Sequence, residues 1–289
     1  MQSILAAASL LLTAPQTPEV SLVKILLDIL NGLHRSERAR ILNPTRLVKL
    51  LPPPFHDRAT EHDAHEVLYF LKSKLDDCKT ILNMPPLPFQ GSVINILKCR
   101  CGHSKEPVAA IFNDISISIP LDASDGIGVT ASGPIQLQSL LDITHKDHEG
   151  AHCDACSPMQ NVPMTEQSFV KTAPNLLLLQ LKRFSYMESV RRTVKIMKQI
   201  ECNERIHIIL HETNEVVNYR YRASISHNGT SSNNGHYVAY KIDPSDTLYE
   251  MNDSQCQEIK EKQMFVSQAL FGGGTDNETP YILLYERTA

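Results

Sequence analysis

The sequence predicts an α+β fold, with a helical N-terminal part followed by a strand-rich remainder. Apolar residues recur at helical spacing as far as about residue 88. The period then falls to two, where Ile115, Ile117 and Ile119 alternate with Ser116 and Ser118. Leu176 to Leu181, after Pro174, is an apolar run of the kind found in a strand buried on both faces.

Taken in order, Met1 to Leu12 reads as an Ala-rich apolar helix with no capping residue before it, broken by the prolines of Thr13 to Thr17. A second helix starts near Leu22. Ile25, Leu26, Ile29, Leu30 and Leu33 form its core face, and the charged Arg35 to Arg40 closes it. Pro52-Pro53-Pro54 reads as a rigid extended connector. A third helix is expected from Glu61 to Asp77, with Ala64, Val67, Leu68, Leu71 and Leu75 facing the core. Its first turn carries Glu61, Asp63 and Glu66, where acids favour the helix dipole.

Strands are expected over Gly91 to Lys98, Ile115 to Ile119, Leu176 to Leu181, 218–226, 235–242, 247–251 and 280–286. Residues 122–134 read as a Ser/Gly loop. Ile135 to Ile143 and Gln263 to Leu270 read as short helices.

Composition narrows the function. Hydrophobic residues make up 42% and charged residues 21%, as in a folded globular chain. The net charge of -4 speaks against a nucleic-acid binder, which shows a basic stripe, and suits a basic protein partner. No apolar run approaches the roughly 18 residues that span a bilayer. Ile4 to Leu12 has no basic residue before it, the first being Lys24, so it does not read as a signal peptide. An intracellular protein without a membrane partner is expected.

The seven cysteines are an odd number, and four form the close pairs Cys99/Cys101 and Cys153/Cys156. Such pairs read as a metal site in a reducing compartment more readily than as disulfides. Four thiolates would hold a structural zinc in a closed tetrahedron with no open position for water. The one-residue gap in Cys99-Arg100-Cys101 is short for such a site, and His103 or His152 is an alternative ligand. The competing reading is four small, half-buried cysteines with no metal. Glu61-His62-Asp63-Ala64-His65-Glu66 lacks the spacing of a zinc protease, which leaves a solvated helix start or an acidic patch for a basic peptide.

The second constellation is Asn234-Gly235-His236-Tyr237, followed by a strand ending in Asn252-Asp253. On neighbouring antiparallel strands, His236 and Asn252 or Asp253 would be the base and orienter of a nucleophilic site.

Together these segments resemble the ubiquitin-specific protease family of papain-like cysteine deubiquitinases. Asp63-Ala64-His65-Glu66 resembles the family's helix start, and the two cysteine pairs resemble its zinc-bearing fingers. Leu179-Gln180-Leu181-Lys182-Arg183-Phe184 resembles its signature strand, and Asn234-Gly235-His236-Tyr237 with Tyr240 its histidine box. Asn252-Asp253 resembles the third triad position, and Tyr281-Ile282-Leu283-Leu284-Tyr285-Glu286-Arg287 the closing strand.

The resemblance implies a papain-like fold with a helical thumb (1–88), β-rich zinc-type fingers (89–172) and a β-rich palm (173–289). It implies a monomer in the cytoplasm or nucleus that binds ubiquitin and ubiquitinated proteins. Asp63 and Glu66 would hold ubiquitin's basic tail by charge-assisted hydrogen bonds. Ser226 to Asn234 would be a mobile loop beside His236. The implied reaction is thiol attack on the carbonyl after ubiquitin's terminal Gly-Gly, with His236 as base and Asn252, or alternatively Asp253, as orienter.

One departure bears on activity. The family's nucleophile box reads Asn-Thr-Cys-Tyr-Met-Asn-Ser, and Met1-Gln2-Ser3 resembles the Met-Asn-Ser that ends it. The expectation is a chain without the nucleophile and therefore inactive, either as an N-terminally truncated form or as a ubiquitin-binding pseudo-protease.

Overall fold

The computed structural model describes residues 18–35, 44–57, 61–79, 87–120, 133–142, 145–148, 153, 155–156, 164–188, 191–231, 234–260 and 277–288. The expected helices at Met1 to Leu12 and Gln263 to Leu270, and nearly all of the 122–134 loop, lie outside them. The chain divides into two compact units. One runs to Leu87 and includes Asn252–Cys256. The other comprises Pro88–Met251 and Gln257–Ala289.

Up to Leu87 the described elements are helical: α1 (Pro18–Arg35), α2 (Thr45–Val48) and α3 (Ala64–Lys79). Val20, Val23 and Leu27 lie three to four apart, the spacing of one helical face, and are buried with Leu22. They pack with Cys78, Leu71 and Leu75 of α3 and with Phe70. Helix α1 therefore begins earlier than expected, and its core face is shifted, with Ile25 and Ile29 only half-buried. Pro52–Pro54 is not an extended connector: residues 53–56 form a turn, and Asp57 N donates to Pro54 O at 3.2 Å.

Helix α3 starts at Ala64 rather than Glu61 because Asp63 caps it. Asp63 Oδ1 accepts hydrogen bonds from His65 N at 2.7 Å and Glu66 N at 3.1 Å. Asp63 O accepts the first helical bond, from Val67 N.

The second unit is built from strands. A four-stranded antiparallel sheet runs β2 (Val108–Phe112), β1 (Gly91–Cys99), β6 (Met164–Thr172), β5 (His145–His148). The large sheet runs β15 (Gln255–Glu258), β14 (Leu248–Asn252), β13 (Asn234–Ile242), β12 (Val216–Ser231), β16 (Glu278–Arg287), β7 (Leu176–Lys182), β3 (Ile115–Ser118), and β11 (Arg205–Ile209) also pairs with β12. Two short pairings complete the unit. β8 (Phe184–Met187) and β9 (Arg192–Lys195) form a hairpin, and β4 (Ile135–Gln136) lies parallel to β10 (Ile200–Glu201). The pairing of β4 shortens the helix expected at Ile135, so that α4 is Leu137–Asp142.

Strand β7 shows why its sequence is so apolar. It lies between β16 and β3, and Leu177, Leu178, Leu179 and Leu181 are all buried. Leu177, Leu179 and Leu181 share a core with Leu283 and Tyr285 of β16, Tyr219 and Tyr221 of β12, and Val238 and Tyr240 of β13. The buried tyrosines reach partners: Tyr219 Oη donates to Pro174 O, and Tyr285 Oη to Asn203 O.

Arg183, after β7, is fully buried. Its Nε donates to Pro280 O at 2.7 Å, and its Nη1 to Ile196 O and Lys198 O at 3.0 and 2.8 Å. The Leu-Gln-Leu-Lys-Arg-Phe signature is thus a buried strand with a guanidinium staple at its end. Burial pulls that guanidinium's pKa down to about 10.

Candidate active site and cysteine centre

His236 is the third residue of β13 and is half-buried. Its backbone partner in β12 is Asn228, and the pairing continues to Ser231↔Asn234. The stretch Ser226 to Asn234, expected as a loop, is therefore mostly strand, for β12 runs on to Ser231. Farther along, Ala239 faces Met251 of β14, so β13 begins at the end of the sheet where β14 finishes in Asn252. Asn252 is half-buried on the strand. Asp253 is exposed beyond it, with a left-handed backbone (φ 52°).

Gly235 is explained by two neighbours, the His227 ring and the backbone carbonyl of Asn228. A Cβ there would fall inside the imidazole of His227, which is 2% exposed. That ring also packs edge-on against Tyr237 and Phe184, with centroids 5.0 and 5.3 Å away. Both chain neighbours of His236 therefore lie against His227, a residue that no motif in the sequence marks out.

Asp63 and Glu66 differ in their surroundings. Asp63 is half-buried, with Oδ1 committed to the α3 cap. Glu66 is exposed and lines an open groove of about 470 Å³ with Phe55, His65, Tyr69, Phe70 and Ser73. Glu66, Tyr69, Phe70 and Ser73 lie on one helical face at three- and four-residue spacing. Tyr69 is 61% exposed.

The four paired cysteines converge. Their sulfurs all lie within 4.8 Å of one another, with Cys99 Sγ 3.5 Å from Cys156 Sγ and Cys101 Sγ 3.7 Å from Cys153 Sγ. A tetrahedron of sulfurs about 2.3 Å from a zinc ion has edges of about 3.8 Å, so the thiols fit a metal. The short Cys99/Cys101 gap is accommodated by a tight turn. Cys99 N donates to His103 O, Gly102 N donates to Cys99 O, and Gly102 takes φ 90°. No imidazole is needed to complete the set, and His152 lies outside the described residues. The hydrogen bond to Cys156 holds the Cys101 thiol down at about 7, and the same contact pushes Cys156 up. A bound cation would require these thiols to be deprotonated.

The other cysteines are dispersed. Cys78 and Cys202 are buried, and burial drives the Cys202 thiol up to about 12. Cys256 is exposed on the edge strand β15.

The profile of the ubiquitin carboxyl-terminal hydrolase family matches residues 2–285. Among curated relatives, ubiquitin carboxyl-terminal hydrolase 4 of Arabidopsis thaliana is 28% identical over 204 residues, covering 68% of this chain and 52% of that protein. Ubiquitin carboxyl-terminal hydrolase 9 of Saccharomyces cerevisiae is 23% identical, covering 94% of this chain and 37% of that protein. The chain thus spans about half or less of these relatives' length. Among solved structures, a yeast SAGA DUB module carrying a mutant Sgf73 aligns over the whole chain and 62% of its own, with a TM-score of 0.71 and 21% identity. The SAGA Ubp8/Sgf11/Sus1/Sgf73 DUB module bound to ubiquitin aldehyde aligns over 95% of this chain and 61% of its own, with a TM-score of 0.65 and 20% identity.

Proposed function

Because the chain belongs to the ubiquitin carboxyl-terminal hydrolase family, we propose that it is the catalytic domain of a cysteine-type deubiquitinase, a class of enzyme that binds ubiquitin and hydrolyses the bond after its terminal Gly-Gly. The family match over nearly the whole chain carries this reading. The thumb, fingers and palm are assigned to residues 1–88, 89–172 and 173–289. The domain acts as a monomer on ubiquitin and ubiquitinated proteins inside the cell. Among the described residues, no helix is long and apolar enough to cross a membrane.

In this reading His236 is the general base. It takes the proton of the attacking thiol, and the thiolate adds to the carbonyl carbon. His236 then returns the proton to the leaving amine as the acyl thioester forms, and water hydrolyses that thioester. Asn252 orients the imidazole in preference to Asp253, because it is half-buried on the strand while Asp253 is exposed past its end. Glu66, facing an open groove, receives a basic residue of the ubiquitin tail, and Asp63 contributes mainly by capping α3. Cys99, Cys101, Cys153 and Cys156 hold a zinc ion, which supplies cross-linking of the fingers and no catalysis.

A second reading, a ubiquitin-binding pseudo-protease, is favoured by the state of the seven cysteines: four cluster, two are buried, and the last sits on an edge strand. One experiment separates the two. The chain is titrated with ubiquitin by calorimetry and incubated with ubiquitin bearing a C-terminal fluorogenic leaving group. Binding with no fluorophore release is expected of this chain. Release that iodoacetamide abolishes would show that one of the seven cysteines is a nucleophile and remove the pseudo-protease reading. Absence of binding would remove both.

A further inference from the structure

One buried cation of the large unit besides Arg183 has no part in the reaction described above. Lys195, the last residue of β9, is 7% exposed. Its Nζ donates to three backbone carbonyls: His227 O at 2.8 Å, Gly229 O at 2.7 Å and Asn277 O at 2.8 Å. Only an ammonium has three N–H donors, so the set is complete only with the charged form. Burial and the Arg183 guanidinium pull the pKa of Lys195 down to about 7, and Glu278 opposes them.

The three carbonyls lie where β12 nears its end and just before β16 begins. Gly229 there has φ 150° and a backbone so close to Asn234 O that no Cβ fits. Asn277 has φ 55°. A left-handed residue and a crowded glycine, joined directly only by a long backbone bond from Gly229 N to Asn277 O at 3.4 Å, are bridged by one ammonium.

We infer that Lys195 is a positioning residue for His236, acting through the His227–Gly229 backbone to fix the β12–β13 hairpin. The linkage is short. Lys195 holds the carbonyl of His227, and the ring of His227 is wedged against Gly235 and Tyr237, the two residues flanking His236. Asn228, between two of the clamped carbonyls, is the strand partner of His236. Displacing residues 227–229 would tilt the backbone from which the imidazole projects. Arg183, by contrast, staples Pro280, Ile196 and Lys198 and touches none of these residues by a hydrogen bond.

The inference rests on the assignment of His236 as base, but its test does not need turnover. Lys195→Met and Lys195→Arg are prepared in the full chain. The ring resonances of His236, assigned by His236→Gln, are followed against pH by NMR. Amide exchange is followed over residues 228–237 and over β7. In Lys195→Met the hairpin amides should exchange about tenfold faster, beyond any change in β7. The His236 ring resonances should move away from their positions in the unsubstituted chain. Lys195→Arg, which keeps the charge, should restore part of both.

Unchanged His236 ring resonances in a folded Lys195→Met chain would overturn the inference. So would exchange that rises equally in β7 and the hairpin, since that is a global loss of stability. If Lys195→Met does not fold, the ¹⁵N signal of the Lys195 side chain in the unsubstituted protein decides. A slowly exchanging ammonium coupled to the carbonyl carbons of 227 and 229 supports the clamp, and a rapidly exchanging one overturns it. Whether the chain hydrolyses ubiquitin enters none of these readouts, so a failed activity assay and a failed clamp remain distinct results.

Discussion

The two larger sheets of the large unit are stabilised by different chemistry. The large sheet has a continuous core, with leucines of β7 packed against tyrosines of β12 and β16. Among the described residues the four-stranded sheet has only a small core of its own, although Phe112 and Val170 pack against that of the large sheet. Its buried cluster is Cys99, Cys153 and Met164 with Leu97 against it, while Val108 and Ile111 on its edge strand are 64% and 68% exposed. A sheet with so little apolar burial needs another source of cohesion, and the four converging sulfurs supply the ligands for one. Burial holds one sheet, and coordination is suited to hold the other.

Metal removal is the strongest way to break that contrast. Structural zinc contributes an apparent free energy of about 10–16 kcal/mol in finger peptides. Chelation, or Cys153→Ser, should therefore abolish amide protection in β1 and β6 while leaving β7 and β16 protected, as read by hydrogen exchange. Elemental analysis of the untreated protein should find about one zinc per chain. Loss of protection in both sheets together would refute the division.

The complementary lesion is Leu179→Ala, at a fully buried position of β7. It should cost about 2–5 kcal/mol in denaturant unfolding of the large sheet and leave zinc content unchanged.

Outside both sheets, Asp63→Ala should cost about 1 kcal/mol through loss of the α3 cap. If ubiquitin affinity falls by much more than stability, Asp63 also touches the ligand. Glu66→Ala, which removes no cap, should weaken ubiquitin binding with stability unchanged.

The smallest effect is expected at Arg220, whose bonds to Glu204 and Asp246 lie at the surface. Arg220→Ala should change unfolding free energy by no more than about 1 kcal/mol, and less at high salt.

Legibility in the sequence followed the same contrast. Strand β7 was readable because burial on both faces demands leucine after leucine. Strand β6, Met-Thr-Glu-Gln-Ser-Phe-Val-Lys-Thr, was not readable, because most of it is only half-buried and its conformation is dictated by pairing with β1. Strand β11 and the β8–β9 hairpin escaped for the same reason: they are short and take their register from partners. Helix α3 was placed correctly but begun too early, since an acid in a first turn and an acid at a cap look alike without coordinates.

At the candidate sites, the paired cysteines were legible by spacing. The Gly-His pair was legible as a motif, but the reason for its glycine was not. Nothing around Lys195 in Arg-Thr-Val-Lys announces that its ammonium will meet carbonyls from residues 227, 229 and 277. Long-range contacts of that kind leave no local period.

The crowding at Gly235 also bears on how the molecule can be altered. The space a Cβ would need at 235 is taken twice, by the His227 imidazole and by the backbone carbonyl of Asn228. In a saturation library position 235 would return glycine whatever stands at 227, because a smaller residue at 227 removes only the side-chain half of the crowding. Any directed-evolution campaign around His236 would thus find its preceding position closed, and would have to look for variation elsewhere.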